Sequence, residues 1–286
     1  MQAWRTDWHT GESVQITEAR SLDPSSIALA PNDRLAYGFD GPTLFQVNLG
    51  NFRRRNVADV EGGWNKAPGF SISGDGTVAA WVEQRGNRTR VQVLRIGQGD
   101  VSTAVETDGL ISDPQLRPAR AQVSYRLRDR VWLANLDGAQ TRMLKLDSGA
   151  AVGQSRWNPN GRTLLYLSIP SDTKQLITLR EHTPDENRDQ PVARTSQFVS
   201  FGVNGDASVF VGASRSLASP YVLLLLRVAK RELTLCEHRS TDAASVDPVF
   251  SPDSQEIFFA SDRQGKHAIY RVHVGRFVEE TGDSEN

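Results

Sequence analysis

Residues 251–272 read SPDSQEIFFASDRQGKHAIYRV. A turn (SPDS), an apolar burst (IFFA), a polar turn (SDRQGKH) and a second apolar burst (AIYRV) follow one another. Bulky apolar residues broken every few positions by Gly, Asn, Asp and Pro signal strands and tight turns, not helix. The pattern recurs along the chain. Its turns are APND (30–33), SGDG (73–76), RPAR (117–120), NPNG (158–161), VNGD (203–206) and SPDS (251–254). Marking one residue in each turn, at 31, 74, 118, 159, 203 and 252, gives spacings of 43, 44, 41, 44 and 49.

Two further columns support this register. Two residues before the marker stand Leu29, Ile72, Leu116, Trp157, Phe201 and Phe250, all apolar. Seven after it stand Trp81, Tyr125, Tyr166, Phe210 and Phe259, with Tyr37 displaced by one. Each unit continues with a third strand (TLFQVNL, RVQVLRI, RVWLANL, QLITLRE, YVLLLLRV, AIYRVHV). The first five add a fourth (RNVADV, VSTAVET, TRMLKL, QPVART, RELTLCEH). Four strands at a period near 44 residues describe a β-propeller blade. The fold expected is all-β, a propeller domain over residues 1–274 followed by a polar tail, 275–286.

The sixth unit lacks a fourth strand, and Ser13–Glu18 is the candidate to close its sheet and so leave no open edge. Residues 3–12 (AWRTDWHTGE) themselves read as a third strand and turn. They are open to two readings: a flap on a six-bladed ring, or the remnant of a seventh blade.

Composition limits the function classes. The chain has 286 residues, 38% hydrophobic and 23% charged, with net charge −1. It is long enough for a full core, and it lacks the clustered Lys and Arg of a nucleic-acid or anionic-membrane surface. The run Phe52-Arg53-Arg54-Arg55 reads as a solvated strand end. A single cysteine, Cys236 in LTLCEH, allows no internal disulfide and reads as a half-buried packing thiol. The segment MQAWRTDWHTGE has no apolar leader, and the run YVLLLLRV is too short to span a bilayer. The expectation is a cytoplasmic protein without nucleic-acid or membrane partners.

Ligands of propellers usually sit at a mouth of the central channel, near the innermost strands. Here these precede the markers. Their polar phase gives Asp113, Gln115, Gln154, Arg156 and Asp247 as the candidate ligand contacts. There is no G-x-S-x-G elbow, no H-E-x-x-H, no cysteine cluster and no phosphate-cradling glycine loop. The five histidines show no metal-ligand spacing and mostly read as surface strand or turn residues. His238 stands apart because it ends a fourth strand just before STDAASVDP.

The unit FSPDSQEIFFASDRQGKHAIYRV is similar to the repeats of TolB-type propellers. A broader resemblance is carried by TLLYLSIPSDTKQLITLREHTPD (163–185), ASVFVGASRSLASPYVLLL (207–225) and LTLCEHRSTDAASVDPVFSPDSQEIFFASDR (233–263). These look like the oligogalacturonate lyase family. That resemblance implies a seven-bladed cytoplasmic enzyme that cleaves pectin fragments by β-elimination with Mn²⁺. The metal would bind the uronate carboxylate and acidify the adjacent C–H, and a base would take that proton as the glycosidic oxygen leaves.

The resemblance also implies a Q-x-x-H-x-H metal segment before the P-x-F-S-P-D turn, where this chain has Asp242, Ser245 and Asp247. A further histidine is implied on an earlier inner strand, and the matching stretch 195–206 contains none. His238, Asp242 and Asp247 are the remaining candidate metal ligands, the aspartates through oxygen. Two functions follow. One is a lyase acting on acidic oligosaccharides, with Arg156 clamping a carboxylate. The other is a non-catalytic TolB-like propeller binding a peptide, sugar or partner protein.

Overall fold

The turns of the repeat close on short polar side chains. In the SGDG turn Asp75 accepts from the Thr77 amide at 3.0 Å and from the Ser73 hydroxyl. In SPDS, Asp253 takes the Gln255 amide at 3.0 Å and the Ser251 hydroxyl. Asp206 holds the Ser208 amide at 2.9 Å. An Asx carboxylate that replaces a backbone acceptor two residues on stabilises a tight reversal, which is why these turns carry Asp between apolar runs.

The protein is described here from a computed structural model covering residues 1–30, 34–147 and 149–279. The marker at position 31 lies outside these residues, as does the stretch 280–286. The chain divides into two compact units, Met1–Leu144 and Lys145–Asn286.

The first unit opens with a hairpin of β1 (Trp4–Thr6) and β2 (Ser13–Gln15). Three four-stranded antiparallel meanders follow. Sheet one holds β3 (Leu22–Leu29), β4 (Leu35–Asp40), β5 (Thr43–Asn48) and β6 (Arg54–Asp59). Sheet two holds β7 (Asn65–Ile72), β8 (Val78–Arg85), β9 (Arg88–Arg95) and β10 (Asp100–Asp108). Sheet three holds β11 (Ile111–Leu116), β12 (Gln122–Leu127), β13 (Arg130–Asn135) and β14 (Thr141–Met143).

In the second unit, sheet four comprises β15 (Ala150–Trp157), β16 (Leu164–Pro170), β17 (Thr178–Thr183) and β18 (Arg188–Arg194). Sheet five comprises β19 (Phe198–Val203), β20 (Val209–Ser214), β21 (Tyr221–Leu226) and β22 (Arg231–Glu237). A 3₁₀ turn (Ala243–Val246) leads into the three strands of sheet six, β23 (Val249–Phe250), β24 (Glu256–Ser261) and β25 (Ala268–His273). Within each unit the first strands of successive sheets lie side by side, β3 with β7 and β11, and β15 with β19 and β23. Meanders arranged in this way are propeller blades, as the repeat predicts.

The core lies between adjacent sheets. One cluster joins sheets one and two around Phe39, Leu44 and Trp81, and another joins sheets two and three around Val82, Val91 and Val123. In the second unit Leu165, Phe201 and Phe210 fill the space between sheets four and five, and Val211, Val246 and Phe259 that between five and six. The six aromatics of the repeat column are at most 2% exposed. At about 1.5–3 kcal/mol for each fully buried large side chain, this column outweighs any surface ion pair. YVLLLL of β21 is buried along its middle, as its unbroken apolar run predicts.

Two expectations need correction, and two further residues are buried against the general pattern. Ser13–Gln15 does not extend sheet six but pairs with Trp4–Thr6, with Val14 opposite Arg5. The Asp7 carboxylate accepts the His9 amide at 2.8 Å and the Thr10 amide at 3.1 Å, so a local hairpin forms at a small loop-closure cost. Leu29 is 58% exposed, unlike the rest of its column. His182 is fully buried in β17. Val278, in the segment expected as a polar tail, is buried in the cluster of sheets five and six.

Candidate functional site

Every four-stranded sheet carries an irregularity in its first strand, at Asp23/Ala28, Ala67/Phe70, Ser112/Gln115, Val152/Ser155 and Phe198/Ser200. An extra residue on one strand leaves the ladder and re-aims its side chain. Alternation alone did not reveal these bulges. They fall on the candidate residues: Asp113 lies within the one in β11, and Gln154 within the one in β15.

In the second unit, three of the expected residues meet. Arg156 donates from Nε to the Phe201 carbonyl at 2.9 Å and from Nη2 to Asp247 Oδ1 at 2.7 Å. Gln154 donates from Nε2 to the same carboxylate oxygen at 2.9 Å, while its Oε1 accepts the Phe201 amide at 2.6 Å. Phe201 thus contributes both backbone groups, a role its apolar side chain hides in the sequence. The Arg156 side chain is 33% exposed and that of Asp247 50%. Two of its donors are committed, so the guanidinium is oriented, and its Nη1 edge has no partner among the described residues.

Asp247 is held there by its backbone. It follows the 3₁₀ turn in the left-handed region, at φ 30°, immediately before Pro248. That conformation is uncommon for a residue other than glycine, and a following proline disfavours it further. Gly202 of β19 is the complementary feature. A Cβ there would come within 2.4 Å of the Pro248 carbonyl, so only glycine lets β19 approach this segment.

In the first unit, Asp113 is also left-handed, at φ 51°, and its Oδ2 accepts from Gln115 Nε2 at 2.9 Å. Pro114, between them, sits over Gly69 of β7, where a Cβ would meet its Cδ at 2.5 Å. The Leu116 amide donates to Ser71 Oγ at 3.3 Å, joining β11 to β7.

The candidate metal ligands have other partners. His238 is 1% exposed. Its Nε2 donates to the Ser214 carbonyl at 2.9 Å and its Nδ1 accepts the Ser240 amide at 3.0 Å, so both ring nitrogens are occupied in one neutral tautomer. Its carbonyl accepts the Ser261 hydroxyl at 2.6 Å. Asp242 caps the 3₁₀ turn, with Oδ1 accepting the Ala244 amide at 3.0 Å. The neighbouring Thr241 is gripped through amide and hydroxyl by Asp262 of the SDR turn. Those bonds hold the Asp262 carboxyl below the ordinary carboxylate range. Among the described residues no group of three or more His, Cys, Asp or Glu is gathered to hold a metal ion. A saturated imidazole and a capping carboxylate do not fit Mn²⁺.

Cys236 is half-buried in β22, and burial raises its thiol pKa, which suits a packing residue and not a nucleophile. No helix among the described residues is long and apolar enough to cross a membrane.

No protein-family model matches the chain. Over 92% of its length it is 21% identical to the oligogalacturonide lyase of Pectobacterium atrosepticum, spanning 80% of that protein. An oligogalacturonate lyase in complex with manganese superposes with a TM-score of 0.89 at 20% identity, over 96% of this chain and 82% of that one. TolB from Acinetobacter baumannii gives 0.57 at 12% identity, over 81% of this chain and 58% of that one. The fit to the lyase is much closer than the fit to TolB, and the sequence similarity runs nearly end to end. The chain is similar to the oligogalacturonate lyases and shares their β-propeller fold.

Proposed function

We propose that the chain acts on short oligogalacturonides and that Arg156 is the clamp for a uronate carboxylate. The observation that carries this reading is the orientation of Arg156 by Phe201 and Asp247, which commits Nε and Nη2 and leaves Nη1 uncommitted on a side chain that is 33% exposed. A planar guanidinium presented edge-on matches a carboxylate through two parallel N–H···O bonds. The lyase relatives support the substrate class, because oligogalacturonate carries one such carboxylate on each ring.

The reaction proposed is β-elimination. A base must take the proton on the carbon next to the uronate carboxylate; negative charge then spreads onto the carboxylate oxygens, and a C=C bond forms as the bond to the glycosidic oxygen breaks. A fixed cation at those oxygens stabilises that charge more in the transition state than in the ground state. Arg156 has that role here. Manganese in the related lyase would supply stronger polarisation, but no step is assigned to it in this chain, whose residues at the implied positions do not fit it. We assign the protein to the cytoplasm and to pectin-fragment breakdown on the same resemblance.

Purified protein incubated with unsaturated digalacturonate, with and without Mn²⁺, tests the reading. Release of unsaturated-uronate product is expected, with loss of substrate binding in Arg156→Ala. Absence of product at high protein concentration would end the lyase assignment. Calorimetric binding of the same sugar without turnover would leave only a recognition role.

A further inference from the structure

The first unit carries a cleft of its own. A cleft of about 660 Å³ opens between sheets one and two, lined by Tyr37, Gln46, Arg55, Val78, Arg95 and neighbouring residues. That volume is in the range of small-molecule sites. Tyr37, Gln46 and Arg55 stand in direct register across β4, β5 and β6, so they share one face. Arg95 reaches the cleft from the end of β9.

Internal comparison shows what is missing. In two other sheets a carboxylate meets the polar atom of the aromatic column. Trp81 donates from Nε1 to Glu83 at 2.8 Å. The Tyr166 hydroxyl contacts Asp189 at 2.9 Å, and Arg180, paired in register with Tyr166, donates to the same carboxylate at 2.7 Å. Sheet one repeats the phenol and the guanidinium without the acid. Tyr37 is 1% exposed, yet its hydroxyl has no hydrogen-bond partner among the described residues. Neither Arg55 nor Arg95 forms an ion pair among them. The charge of Arg55 is close enough to act on the Tyr37 hydroxyl, pulling its pKa down against the larger upward effect of burial.

We propose that this cleft binds a small organic carboxylate, held between Arg55 and Arg95 and hydrogen-bonded by the Tyr37 hydroxyl. The ligand takes the place that Asp189 fills in sheet four. Val78 supplies an apolar wall, so the ligand is a carboxylate on a compact ring or chain and not a bare ion. The site does not depend on the Arg156 reading and stands or falls separately.

Methyl NMR of Val78 and Ile96, both lining the cleft, reads it directly. The probes are D-galacturonate, galactose as the same ring without a carboxylate, and inorganic phosphate. Galacturonate is expected to shift both methyls and galactose to leave them. Arg55→Gln and Arg95→Gln, both at exposed positions, should each weaken the response about tenfold or more. Tyr37→Phe keeps the buried ring and should weaken it by several-fold. Arg156→Ala should leave the titration unchanged, which separates this site from the one proposed above. Absence of shifts with galacturonate, an equal response to galactose, or an undiminished response in both arginine variants would overturn the proposal. Shifts with phosphate but not with galacturonate would overturn the carboxylate assignment.

Discussion

Arg156 and Asp247 are 91 residues apart in the chain and 2.7 Å apart in space. Gln154, two residues before Arg156, reaches the same carboxylate oxygen, so the aspartate orients two donors at once. The pair is half open to water, and its contribution to stability is accordingly small. Its value lies in fixing the direction of one guanidinium.

That direction should matter more than the charge. Arg156→Lys keeps the positive charge but cannot bridge Phe201 and Asp247 while presenting an edge. Oligogalacturonate affinity measured by calorimetry should fall about tenfold, and further in Arg156→Ala, as expected for loss of charge-assisted hydrogen bonds worth about 1.5–3 kcal/mol. The melting temperature should barely move. Unchanged affinity in both variants would remove Arg156 from the site.

Gly202→Ala tests the same geometry through the backbone. The added methyl meets the Pro248 carbonyl, so the segment carrying Asp247 must shift or β19 must bend. We expect a loss of about 1–3 kcal/mol, the usual cost of overpacking, with weaker substrate binding. A variant as stable as the parent would show that the close approach is not needed.

The buried ion network of sheet two should be the most sensitive to truncation. Glu83 is 1% exposed and accepts from Trp81 and from Arg90 Nε and Nη2, while Arg90 lies 4.0 Å over the Trp64 ring. Glu83→Ala leaves a buried guanidinium with the exposed Glu61 as its one carboxylate partner among the described residues, and denaturant unfolding should show a loss of about 3–5 kcal/mol. A cost below about 1 kcal/mol would mean that water enters freely.

Acid stability should depend on Asp189. Burial opposes its ionisation, but the neighbouring His182, Arg180 and Tyr166 overcome it and hold the carboxyl below its ordinary value. A folded pKa below the unfolded value of about 3.9 contributes stability that is present above that pH and lost as pH falls through the folded pKa. Calorimetric scans should therefore show Asp189→Asn less stable at pH 7 and less steeply destabilised below about pH 4. Equal slopes in parent and variant would assign the acid sensitivity to other aspartates.

His238→Ala separates a structural histidine from a metal ligand. Removing an imidazole that bridges Ser214 and Ser240 should cost about 1–3 kcal/mol. Any change in melting temperature on adding Mn²⁺ should be the same in parent and variant. A Mn²⁺ stabilisation lost only in the variant would make His238 a ligand.

The blades were legible because their physics is local. Alternation, Asx turns and an aromatic column repeat within about 44 residues, and each reports burial or a chain reversal without reference to distant residues. The turn SPDS and the bursts IFFA and AIYRV became the turn and strands that their pattern implies. The partner of Ser13–Gln15 was not legible, because a three-residue strand carries too little pattern to choose between a local and a distant edge.

The site is divided in the same way. Gln154, Arg156 and Asp247 could be picked from the polar phase of the inner strands, since that phase follows from period two. Their convergence on one carboxylate oxygen depends on bulges, a left-handed aspartate and the backbone of Phe201, none of which has a side-chain signature. For His238 the sequence offered a histidine beside acidic residues, and the fold spent both of its nitrogens on backbone groups of Ser214 and Ser240. Periodicity reports which face a residue takes, and hydrogen-bond partners from other strands settle what that residue is free to do.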